Sequence, residues 1–212
     1  LADIVAEFVR AQPHKELLKV WVNTSLGETW EDAGGERMQA AELSERAGGY
    51  EPWTVPNGAL LVVVGTDVQH NRLESTAYAF GPGEECWVIS HEVILGSPKD
   101  EKTWREHDEL LEKRVLREDG KELSISACCI DASDGQTAGF VLDYCRTRRQ
   151  RNVVAIKGVP GAKPPIGKPT RTDINIRGRV LPKGAELYPV GVDTIKGFLS
   201  ERLKDEGFIH FP

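Results

Sequence analysis

From Ala59 to Thr66 the chain is apolar without interruption. A run of that length predicts a central strand covered on both faces. Residues 72–80 (RLESTAYAF) and 85–95 (ECWVISHEVIL) follow, separated by Gly81-Pro82-Gly83. That spacing and turn chemistry predict an antiparallel meander. The period then lengthens. Residues 101–117 read as a helix with Trp104, Leu111 and Val115 on one face. A second apolar strand covers 124–130, and a helix covers about 136–149 with Phe140, Val141, Tyr144 and Cys145 inward. Residues 152–156 form a short fifth strand. The proline-rich stretch 158–184 cannot be a regular helix and holds a hairpin around 173–181. A strand at 185–190 and a helix at 192–204, striped by Val192, Ile195, Leu199 and Leu203, close the pattern.

The N-terminal part reads differently. Residues 1–22 show helical spacing, 23–35 are irregular and glycine-containing, and 36–47 form a short helix ended by Gly48-Gly49. Pro52, Pro56, Asn57 and Gly58 then punctuate the chain. This places a boundary at 57. Residues 1–57 are a helical arm too small and polar to bury a sizeable core alone, and residues 58–212 are the main domain.

The long helical crossover after the meander lets the fourth strand lie parallel to the first, with right-handed connection as the default. The strand order is then 3-2-1-4-5, a ribonuclease H-like mixed α/β sheet flanked by helices. In that order the tips of strands one and four are neighbours.

Composition narrows the class. The chain of 212 residues is 40% hydrophobic and 28% charged, ordinary for a globular domain. No apolar run approaches the ~20 residues of a membrane span, and no signal peptide is visible; a start at Leu1 suggests a fragment or a processed chain. Cys86, Cys128, Cys129 and Cys145 make no metal spacing and read as reduced residues of a cytosolic protein. The net charge of −6 argues mildly against nucleic acid. Its distribution argues the other way: residues 158–184 hold six bases (Lys163, Lys168, Arg171, Arg177, Arg179, Lys183) against one acid, Asp173. That stretch is the expected contact for a phosphate backbone, unless it is simply a solvated loop. The run Arg146–Arg151 closes a helix, where bases suit the dipole, and is a second candidate.

The chemistry rests on acids at strand ends. Asp67 and Asp131 terminate strands one and four, where open α/β sheets place ligands. Alone, each reads as a turn residue capping its own backbone. As a pair on adjacent strands they repel at neutral pH and call for hard cations, Mg²⁺ or Mn²⁺. Asp193, opening the last helix, is the best third acid; its alternative is a helix-capping role. Glu74 ranks below it, and Asp134 is a possible outer ligand or N-cap. Two ions ~3.5–4 Å apart would activate water and stabilise the departing oxygen. Lys196 or Lys157 would neutralise transition-state charge, unless they are surface residues. His70, His91, His107 and His210 are isolated, and only His70 lies near a predicted strand tip. No GxxxxGK[ST], GxSxG or HExxH segment occurs.

At these residues the chain becomes recognisable. NTSLGETW (23–30), VVVGTDVQHNRLE (62–74), the Gly83–Trp87 turn, ISACCIDASDG (125–135), AIKG (155–158), GVDTIK (191–196) and HFP (210–212) resemble the nuclease region of the large terminase subunit of tailed bacteriophages, lambda-like branch. The resemblance implies an endonuclease that cuts concatemeric double-stranded viral DNA during packaging. It implies Mg²⁺ or Mn²⁺ held by Asp67, Asp131 and Asp193. It also implies a missing ATPase motor ahead of the arm, and a small terminase subunit and portal as partners in the host cytoplasm. Two other functions compete: a ribonuclease H-like resolvase or ribonuclease, separable by substrate, and a non-catalytic docking module, separable by metal-dependent plasmid cleavage.

Overall fold

The computed structural model describes residues 2–13, 15–22, 25, 40–161, 163–176, 178–205 and 207–212. It divides into two compact units, Leu1–Arg37 and Met38–Pro212. The first contains helices α1 (Ala2–Ala11) and α2 (Lys15–Trp21), joined by a ring contact between Phe8 and Trp21 at 4.9 Å. Most of segment 23–30 lies outside the described residues.

The division falls at residue 37, not at the composition break at 57. The reason is that residues 46–55 are bonded into the second unit. Arg46 donates to the carbonyls of Leu203 (2.7 Å) and Ile209 (2.8 Å). Trp53 Nε1 donates to Glu92 at 2.9 Å. The short strand β1 (Thr54–Val55) pairs in parallel with β5 (Arg114–Arg117).

The second unit also holds α3 (Ala40–Glu45) and a ten-stranded mixed sheet. Its central strands are β2 (Leu61–Val68), β3 (Arg72–Phe80), β4 (Cys86–Leu95), β6 (Glu122–Asp131) and β7 (Val153–Val159). They lie in the order β4-β3-β2-β6-β7, so the strands read as first and fourth are adjacent and parallel. Beyond β7 come β9 (Arg179–Gly191) and β8 (Thr170–Ile176), and beyond β4 comes β10 (Ile209–His210).

Helices α4 (Glu101–Glu112) and α5 (Ala138–Thr147) pack against the sheet through buried Trp104, His107, Leu110 and Leu111 and through Val141, Leu142, Tyr144 and Cys145. A Cβ on Gly139 would fall 2.1 Å from the Asn175 carbonyl oxygen, so glycine lets α5 lie directly on β8. All four cysteines are free, and burial pushes Cys86 up to about 11 and Cys128 up to about 12.

Four expectations change. Strand β2 is not enclosed on both faces: Val62, Val64, Thr66 and Val68 are buried, while Val63 and Gly65 are half-buried and Asp67 is exposed. The helix expected over 101–117 stops at Glu112, because Val115 is fully buried by pairing β5 with β6. The small hairpin at 173–181 and the strand at 185–190 merge into the long β8–β9 hairpin. The final helix α6 (Val192–Leu203) buries none of its residues, and Phe198 and Leu199 are about half exposed. Among the described residues no helix is long and apolar enough to cross a membrane.

Candidate active site

The open face of the sheet carries the site. Thr66 on β2 pairs with Ile130 on β6, so Asp67 and Asp131 are the next residue along each parallel strand and share a face. Across the antiparallel β2–β3 ladder, Asp67 is the direct partner of Glu74. One pair further, Thr76 faces His91 on β4. On the other side Asp131 faces Ile156 on β7. Asp67, Glu74, Asp131 and His91 line one cleft of about 310 Å³, floored by Gly65, Cys129 and Ile156. Gly65 leaves the floor open between the acids, since a Cβ there meets nothing within 4 Å.

Each acid has a local partner. Gln69 Nε2 donates to Asp67. Arg72 Nε donates to Glu74 Oε1 at 2.6 Å, and His91 Nε2 stands 4.0 Å from Glu74 Oε2. The Ser133 amide (3.0 Å) and hydroxyl (2.6 Å) both donate to Asp131 Oδ1. Among the described residues, no three His, Cys, Asp or Glu side chains are gathered closely enough to enclose a metal as they stand. The donor set fits a hard divalent cation all the same: three carboxylates, strongly oxygen-donating, line one water-accessible cleft with one arginine beside them.

The remaining candidates are dispersed. Asp193 lies in the first turn of α6, outside the cleft lining, and accepts the Gly161 amide. Asp134 accepts from the Gln136 amide (3.1 Å) and the Thr137 hydroxyl (3.0 Å) at the start of α5; the Gln136 bond above all holds its carboxyl below the usual range. Lys157 follows Ile156 on β7, and strand alternation turns it to the face opposite Asp131. Lys196 is exposed on α6. Lys163, Lys168, Arg171 and Arg179 are exposed on the loop and hairpin beyond β7, and Arg177 lies outside the described residues.

Two histidines were not legible as site elements. His91 needed the β3–β4 register to bring it to the cleft. His107 is fully buried on α4, under the acid row from the other side of the sheet. Its Nδ1 is 2.8 Å from the Tyr144 hydroxyl, which donates to Asp108 at 2.8 Å. Arg148 grips Asp108 through two bonds of 2.6 and 2.5 Å. The signal for His107 was its place three residues after Trp104 and four before Leu111, on the buried stripe of one helix.

Comparison with known proteins adds the family context. The family model described as "Terminase large subunit gpA, endonuclease domain" matches residues 1–212. The chain is 33% identical over 219 aligned positions to the terminase large subunit of Escherichia phage lambda, covering 99% of this chain and 33% of that protein. It is 34% identical over 202 positions to the terminase large subunit of Enterobacteria phage P21, covering 95% of this chain and 30% of that protein. The chain thus spans about a third of the length of these relatives. No solved structure matches it.

Proposed function

The chain belongs to the family of terminase large subunit gpA endonuclease domains, and from that membership we propose that it is a metal-dependent endodeoxyribonuclease cutting concatemeric double-stranded viral DNA during genome packaging. The observation that carries the reading is the acid row, with Asp67 and Asp131 on neighbouring parallel strands and Glu74 opposite Asp67 in the same cleft. The β4-β3-β2-β6-β7 order and the antiparallel β3 support assigning the sheet to the ribonuclease H-like class.

Asp67 and Asp131 would hold Mg²⁺ or Mn²⁺, with Glu74 as the third acid in place of Asp193, whose carboxylate is spent on the loop at Gly161. Bound there, two such ions would lower the pKa of an attacking water and neutralise charge on the phosphate oxygens. The protein's own part is to aim the carboxylates. Ser133 fixes the rotamer of Asp131 through two donors to one oxygen, leaving Oδ2 free of both. Arg72 offsets the charge of Glu74 and so eases repulsion among the neighbouring acids. His91, tied to Thr76 at 2.9 Å, stands where it can donate to a phosphate oxygen. Lys163, Lys168, Arg171 and Arg179 would bind the DNA backbone. The small terminase subunit and the portal are the partners proposed for the whole protein, in the host cytoplasm.

Supercoiled plasmid incubated with Mn²⁺, with and without chelator, tests the proposal. Nicking and linearisation are expected with metal, and Asp131→Asn abolishes both. A wild-type chain inactive at high concentration with either ion overturns the nuclease assignment and leaves a docking module.

A further inference from the structure

We propose that a slot between β7 and β9, separate from the acid cleft, seats a backbone phosphate of the DNA duplex that is being cut. The inference rests on the DNA reading above and names a binding element within it. Strand β7 pairs with β6 from Val153 onward, but pairing of β7 with β9 begins only at Ala155 and Leu187. The two strands therefore diverge at their N-terminal side. The end of α5 closes the gap from the helical face, leaving a cavity of about 240 Å³.

Four cations line this cavity against one carboxylate. Arg146 and Arg149 come from the end of α5 and the turn after it, Arg171 from β8, Lys183 from β9, and Glu186 is the acid. Glu186 is the cross-strand partner of Arg171 and is ion-paired with Arg149 at 3.0 Å. It holds the Arg149 guanidinium at the cavity while leaving most of its donors open. Arg171 and Lys183 have no side-chain ion-pair partner among the described residues. The chain also invests local structure in Lys183. Three residues of β9, Pro182-Lys183-Gly184, stand opposite the single Asp173 of β8 in a bulge. Lys183 adopts φ +49 there, and its amide donates to Asp173 Oδ1 at 2.8 Å. Bulges of this kind re-aim side chains, and the left-handed backbone of a non-glycine residue is costly unless the surroundings enforce it.

Placement makes the ligand a duplex phosphate rather than a free anion. Asp131 faces Ile156, which faces Tyr188, so Asp131, Tyr188 and, two residues back, Glu186 lie on one face of the sheet. Two strand spacings and two residues amount to roughly 12 Å. That is about three or four base-pair steps of a duplex lying across the cleft. Arg146 and Arg149 from the end of α5 and Arg171 and Lys183 of the basic hairpin, far apart in sequence, thus meet at one cavity that Glu186 connects to the face of Asp131.

The test is binding of a fluorescent duplex to the full chain in chelator, where hydrolysis plays no part, titrated with salt. Arg171→Gln combined with Lys183→Asn, the latter keeping a residue that tolerates the left-handed conformation, lowers the slope of log K against log [salt] by about 2 and weakens binding about tenfold or more at low salt. Lys102→Gln, an exposed cation on α4, leaves both unchanged. Glu186→Gln removes the one acid and tightens binding, a direction that misfolding does not produce. Wild-type slope and affinity in the double variant overturn the slot, as does weakened binding in Glu186→Gln. Binding that follows these variants in a chain unable to cut plasmid keeps the slot and overturns the nuclease reading instead.

Discussion

Thr66 Oγ1 lies 2.9 Å from His107 Nε2, on the side of β2 away from Asp67. The same hydroxyl is 2.9 Å from Ser75 Oγ, and Thr66 faces Ser75 in the β2–β3 ladder just as Asp67 faces Glu74 one residue on. The direction of the bonds follows from the far end. Asp108, held by Arg148, can only accept, so the Tyr144 proton goes to it. His107 Nδ1 must then donate to Tyr144, and Nε2 must accept from Thr66. Ser75 in turn donates to Thr66. One directed chain of hydrogen bonds, anchored on an ion pair, clamps β2 to β3 directly behind the acid row.

Replacing His107 with Leu leaves the Thr66 and Tyr144 hydroxyls without their buried partner. Thr66 keeps Ser75 and Tyr144 keeps Asp108, so each lost hydrogen bond costs about 1 kcal/mol, and urea denaturation is expected to show a loss of about 2 kcal/mol in total. Plasmid nicking per folded molecule also falls, because the acids lose their backing.

The same histidine makes stability depend on pH. Burial pushes His107 from 6.5 down to about 4, against the pull of Asp108. The unfolded chain binds this proton near 6.5 and the folded chain only near 4, so between these values the unfolded state holds more protons. The contribution is fully present above 6.5 and is lost as pH falls toward 4. Urea midpoints measured across that window are expected to drop with acidification, and His107→Leu flattens that dependence.

The identity of the third acid separates two variants. Glu74→Gln is expected to cut metal-dependent nicking by about 10²-fold or more, the scale of losing one preorganised electrostatic group. Asp193→Asn is expected to cost much less, and to appear mainly as reduced thermal stability through the loop at Gly161. The reverse ranking restores Asp193 to the metal set.

Metal binding has a readout apart from cleavage. A cation bound only by the folded state raises the melting temperature by mass action. Millimolar Mn²⁺ is expected to stabilise the chain in a thermal melt, and Asp67→Asn with Asp131→Asn abolishes the shift. An equal shift in that double variant places the ion elsewhere.

Gly139→Ala tests the packing that carries the slot. The added Cβ meets the Asn175 carbonyl at 2.1 Å, and backbone cannot swing aside as a side chain can. A loss of about 1–3 kcal/mol is expected, as for other overpacked positions, read from denaturant midpoints.

The strands, the meander, the crossover and the two strand-end aspartates were legible along the chain, because period, turn residues and apolar runs are local properties. Even there, propensity misjudged β5: Arg114–Val115–Leu116–Arg117 continues a helical pattern, and only the partner strand β6 draws it into a sheet. The placement of Glu74 beside Asp67 in the cleft and of Asp193 outside its lining, the burial of His107 behind Thr66, and the meeting of Arg149 with Arg171 and Glu186 were decided by the tertiary structure. Each depends on strand register or on helix docking between residues far apart in sequence, and neither is encoded in the spacing of any single segment.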